Sequence, residues 1–155
     1  MAHIVAPQRS NPTLPIFFNV DAVVGAAPAA NNREDVLLVQ FCFSIMASTR
    51  LPGTSEDFYR AASAVQVTGM IDPATINAIK AMQAEVKKRK PNTIVDGRVS
   101  PSKGTYGYGG GGGYSIVSLN ESVQHRNVDL WPRIDKLPGC PAEIRQMVVR
   151  TVQGV

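Results

Sequence analysis

Glu121, Asp129 and Asp135 place three carboxylates in the last third of the chain. A glycosidase needs two such groups at a set separation across the scissile bond, and no spacing here singles out a pair. Metal-assisted hydrolysis needs a clustered set of imidazole, thiolate and carboxylate ligands. The sequence offers two distant histidines, His3 and His125, and two distant cysteines, Cys42 and Cys140, with no CxxC. No metal site and no cofactor are expected. Residues 109–113 are a plain glycine run without the Lys-Ser/Thr that completes a phosphate loop, and no G-x-S-x-G is present. The chain therefore reads as non-catalytic, with no catalytic residue assigned.

Binding chemistry is better represented. Residues 80–103 hold Lys80, Lys87, Lys88, Arg89, Lys90, Arg98 and Lys103 against Glu85 and Asp96, seven cations to two anions. In the whole chain 16 Lys and Arg face 12 Asp and Glu, for a net charge of +4, so everything outside this stretch is close to neutral. Such a distribution argues against a polycation built for duplex DNA. Lys87 and its neighbours could attract anionic polymers or peptide carboxylates, and Arg98 extends the stretch; the plainer role of residues 87–90 is a solvated helix end. Asp72, Thr75 and Asn77 could hydrogen-bond a ligand along a groove, although Asp72 and Thr75 also suit helix capping. Tyr106, Tyr108 and Tyr114, set among glycines, present flat faces that stack on sugars or bases, or serve as a tether. Trp131 suits either a partner contact or a core. Cys42 lies on an apolar stretch and reads as a core thiol, while Cys140, beside Pro141, reads as more exposed.

The elements that must position these residues are mostly helical. Apolar residues make up 44% of the 155 and charged residues 18%, a globular balance in which no apolar run approaches the roughly 20 residues of a membrane span. Residues 1–15 carry three prolines and read as an irregular arm. Residues 16–25 are β-branched and aromatic and predict a strand. Asn32 suits the N-cap of a helix over 33–48, whose Leu37, Phe41 and Ile45 form one broad buried face. A short helix is expected within 55–65, with Phe58, Ala62 and Val65 inward. Asp72 as N-cap and Pro73 at the first position open the clearest helix. It runs to Lys90 with Ile76, Ile79 and Val86 inward and Glu85 paired with Arg89, and Pro91 closes it. Residues 115–119 alternate weakly, which predicts a strand. Ile144 and Met147 mark a short amphipathic helix that needs a partner surface.

A motif of the form V-x-G-x-[IV]-[DS]-P occurs twice, at Val67-Thr68-Gly69-Met70-Ile71-Asp72-Pro73 and, 28 residues on, at Val95-Asp96-Gly97-Arg98-Val99-Ser100-Pro101. A second echo, apolar-x-x-apolar-Gln, ends at Gln40 and again at Gln83. Together with Asp35-Val36-Leu37-Leu38-Val39-Gln40 and the stretch from Gly69 to Gln83, these motifs resemble the peptidoglycan-binding-like domain, the small three-helix module of many cell-wall hydrolases. The resemblance covers about residues 31–101. It departs from the family where Ser102-Lys103-Gly104-Thr105 leads into glycines instead of a closing helix.

The expected fold class is mainly α. Residues 1–30 form an arm and strand, 31–103 a peptidoglycan-binding-like helical core, 104–114 a Gly/Tyr hinge, and 115–155 a C-terminal extension with a short helix. The resemblance implies a non-catalytic module that binds the bacterial cell wall, or the accessory part of a hydrolase. The alternative is a structural or adaptor subunit of a phage particle or contractile secretion system. The expected partner is peptidoglycan or a protein within a larger assembly, with no membrane span and no nucleic acid. The first residues lack the layout of a secretory signal, so cytoplasmic synthesis followed by delivery through a phage or secretion machine is expected.

Overall fold

The computed structural model describes residues 2–5, 17–102 and 115–153. In chain order the elements are β1 (His3–Val5), β2 (Phe17–Asn19), β3 (Val24–Gly25), α1 (Arg33–Ser48), α2 (Glu56–Ser63), α3 (Pro73–Arg89), β4 (Arg98–Val99), α4 (Ser115–Arg126), a 3-10 turn (Ile134–Lys136) and α5 (Ala142–Gln153). The protein is mainly helical, with two short antiparallel sheets, β1–β2 and β3–β4. No helix among the described residues is long and apolar enough to cross a membrane.

The central element is α1. Every residue from Val36 to Phe43 is buried, so the single broad face expected from its spacing is instead buried all round. The cause is that α2, α4, α5 and β3 pack on it from different sides. Its N-terminus also differs from expectation, because Asn32 makes no capping bond. Asp35, fully buried, instead accepts the backbone N–H groups of Asp21 and Ala22, each at 3.1 Å. That bend divides the expected strand: Phe17–Asn19 pairs with β1, while Val24–Gly25 pairs with β4 in a separate sheet. Ile16 lies outside the described residues.

The second half departs further. Ser115–Arg126 is a helix, not the strand predicted over 115–119. Ile116, Leu119, Asn120 and Val123 recur at i, i+3, i+4 and i+7 and are all buried, and this tertiary packing overrides the β-branched local preference. Nor do the described residues 115–153 behave as an extension. Ile116, Leu119, Ile134, Ile144 and Val148 belong to the same hydrophobic core as Phe41, Phe43 and Ile79, and α5 finds its partner surface on α1 and β1. Buried carboxamides fasten this half to the start of the chain. Asn120 accepts from Phe18 N–H at 2.6 Å and donates to its carbonyl at 2.8 Å, and Asn19 does the same for Ser102 at 3.0 Å in both directions.

The internal repeat has a structural basis in two buried glutamines. Gln40 on α1 accepts from the N–H groups of Thr68 and Gly69, both at 2.9 Å, and donates to the carbonyl of Met70 at 2.9 Å and to Thr75 Oγ1 at 3.1 Å. Gln83 on α3 accepts from Asp96 and Gly97, at 3.1 and 2.9 Å, and donates to the carbonyl of Arg98 at 2.9 Å and to Ser115 Oγ at 3.0 Å. Thr68 and Asp96, Gly69 and Gly97, and Met70 and Arg98 are thus the same positions of one bend, and both glycines have positive φ, +79° and +72°. Ser115 stands to Gln83 as Thr75 stands to Gln40, each hydroxyl lying in the first turn of a helix. In sequence the glycine tract separates the second bend from α4, which follows it as α3 follows the first bend.

Candidate functional site

The residues singled out from the sequence do not converge. Asp72 Oδ1 accepts Thr75 N–H at 2.7 Å, the capping bond that starts α3. Thr75 is fully buried against Gln40. Asn77 is exposed near the start of α3, and Lys87 is exposed near its end, about 15 Å further along at 1.5 Å rise per residue. Arg98 is half-buried on β4, opposite Gly25. Trp131 is half-buried with its ring edge-on to Phe18, centroids 5.4 Å apart. Tyr106, Tyr108 and Tyr114 lie outside the described residues. Replacing Asp72 with Ala is expected to cost about 1 kcal/mol in denaturant unfolding, the ordinary worth of a cap.

The thiols are both internal. Cys140 is buried at 6% exposure rather than exposed, because the 3-10 turn and α5 fold over it. Burial pushes Cys42 up to about 12 and Cys140 to about 11, so neither forms an appreciable thiolate at neutral pH. Both should ignore Ellman's reagent in the native protein and react fully in denaturant; rapid native labelling of either would contradict this placement.

A cavity of about 310 Å³ lies where α2, α3, α4 and the loop after α1 meet. Leu51, Phe58, Met82 and Val86 give it apolar surface. Glu85, Lys88 and Arg89 come from the last turns of α3, and Ser122, His125 and Arg126 from the end of α4. Cations suit the negative ends of both helices, and the fold brings the two ends to one cavity.

Two of its lining side chains, Arg126 and Glu85, are held by specific bonds, and Tyr59 braces Arg126 from behind. Tyr59, almost wholly buried on α2, accepts Leu51 N–H at 2.6 Å and Arg126 Nη2–H at 3.0 Å. Burial alone would raise its phenol, but these donors outweigh it and hold the pKa below its ordinary value. Arg126 also donates to the carbonyls of Thr49, at 2.7 Å, and Ser122, at 3.0 Å. Its guanidinium thus faces three neutral acceptors, and no described carboxylate pairs with it. Glu85, which the spacing pairs with Arg89, turns instead to Ser55 and Lys88, the latter at 3.0 Å. Burial raises its pKa, yet those bonds prevail and hold the carboxyl below its usual range. The cavity wall therefore carries three cations against one carboxylate, and the Glu85–Lys88 pair leaves the charges of Arg89 and Arg126 without a described carboxylate partner.

Sequence reasoning found the basic end of α3 but not its partners. Residues 51–54, 85–89 and 122–126 are scattered along the chain, and the packing of α3 on α2 and of α2 and α4 on α1 joins them. Comparison with family models, with curated proteins and with solved structures finds no match to this chain.

Proposed function

We propose that this chain is a non-catalytic binding module of the peptidoglycan-binding-like type, which attaches to the bacterial cell wall through the groove between α2, α3 and α4. The observation that carries the reading is Arg126: a half-buried guanidinium at the wall of a cavity, satisfied by neutral acceptors and with no carboxylate opposite it among the described residues. A cation so placed, with Lys88 and Arg89 beside it, raises the local potential and favours an anion. Wall glycopeptide offers carboxylates next to small apolar groups, which suits a basic rim over an apolar floor. The twin glutamine-pinned bends support the fold half of the proposal, since they fall on the motifs that carry the family resemblance.

Co-sedimentation of the full chain with purified sacculi tests it. Retention is expected at low ionic strength and should fade as salt approaches about 0.5 M, where charges are screened within a few ångströms. A folded protein that stays in the supernatant at low salt would end the wall-binding reading.

A second reading has its own observation. Val128 and Leu130 are 66% and 40% exposed on the turn after α4, next to Trp131, and exposed apolar groups in one place suit a protein contact. They favour a structural or adaptor subunit, as in a phage particle or contractile secretion system. Light scattering and co-purification from the host decide it: a monomer that brings down no partner counts against this use.

A further inference from the structure

We infer that the groove takes the free carboxylate end of a short peptide rather than a sugar ring; this deepens the wall-binding reading and rests on the groove being its site. Size is the first reason. A volume of about 310 Å³ sits at the lower edge of ligand pockets, which suits the end of a chain.

Surface chemistry is the second. Sugar rings are gripped by open aromatic faces, and the groove presents none among the described residues. Phe58 is 4% exposed. The ring of neighbouring Tyr59 is covered by the guanidinium of Arg50, 4.8 Å from its centroid, and its hydroxyl is engaged by Leu51 and Arg126. The floor is aliphatic, from Leu51, Met82 and Val86, and accepts a small apolar side chain.

The third reason is the donor count. A guanidinium has five N–H groups. Arg126 uses Nε–H and one hydrogen on each terminal nitrogen within the protein, which leaves one N–H on each terminal nitrogen for a ligand. Two donors on one planar cation match the two oxygens of a carboxylate. Arg89, exposed on the rim, adds charge without being needed for packing.

Titration of the ¹⁵N-labelled full chain with trialanine, trialanine amide, chitotriose and inorganic phosphate tests the inference. Trialanine is expected to shift the amides of Leu51, Gly53, Thr54 and residues 85–89, and its amide to bind about tenfold more weakly or worse, as loss of a charge-assisted bond requires. Chitotriose and phosphate should leave those amides in place. Arg89→Glu should weaken trialanine binding by a similar factor while melting like the wild type. Equal binding of acid and amide, groove shifts with chitotriose or phosphate instead, or no shift with trialanine would each overturn it. A chain that sediments with sacculi yet gives one of these results keeps the wall-binding reading and loses this one. A chain that binds trialanine in the groove but ignores sacculi does the reverse.

Discussion

Gln83→Leu is expected to lower the unfolding free energy by about 3–5 kcal/mol, because each buried polar group left without a partner costs about 1–3 kcal/mol. The substitution keeps the apolar volume but strands the N–H groups of Asp96 and Gly97 and the carbonyl of Arg98, and it releases Ser115 at the start of α4. For a chain of this length the melting point should fall by about 10 °C. Gln40→Leu should behave alike, since Gln40 holds Thr68, Gly69 and Met70 in the same way. Urea unfolding of the two variants measures both. A loss below about 1 kcal/mol in either, the worth of one ordinary hydrogen bond, would mean that the bends are held by their own backbone.

Gly25→Ala should be at least as damaging, about 3 kcal/mol or more, from overpacking combined with backbone strain. A Cβ there would sit 2.0 Å from the carbonyl oxygen of Gly97 and 3.0 Å from Arg98 Cα, at φ +127°. Both neighbours are backbone, so β3 and β4 would have to part, and with them the bend that Gln83 holds. Gly53→Ala is the control. That glycine also has positive φ, +84°, but nothing lies within 4 Å of an added Cβ, so only the left-handed backbone penalty of about 1–2 kcal/mol applies. Similar losses at the two positions would show that the contact at Gly25 is relieved by small shifts.

Local signals served well where local physics decides. The start of α3 was legible because Asp72 and Pro73 satisfy the first-turn amides whatever surrounds them, and the span of α1 because its apolar run is long. The Gln and Gly echoes were visible as letters. Their coupling was not, since Gln40 meets Gly69 and Gln83 meets Gly97 only through the packing of each bend on its helix. Residues 115–119 misled because Ile116 and Val117 favour a strand alone, while the helix draws its stability from burial of Leu119, Asn120 and Val123. Asp35 has a role that no local signal shows, since it holds the 21–22 bend from the start of α1. Of the groove, only the basic end of α3 could be read, because Arg126 is set in its wall by a bond to Tyr59, 67 residues away.

Removing charge from the exposed rim tests whether the basic groove engages the wall. Lys88→Gln/Arg89→Gln removes two cations from the cavity without setting a carboxylate against Glu85, and leaves Arg126, Tyr59 and every buried glutamine untouched. A melting curve within a few degrees of wild type is expected, as surface changes usually cost about 0.5 kcal/mol or less each, together with at least about a tenfold loss of retention on sacculi at low salt. Undiminished retention by the folded double variant would contradict it and place the binding surface elsewhere on the molecule.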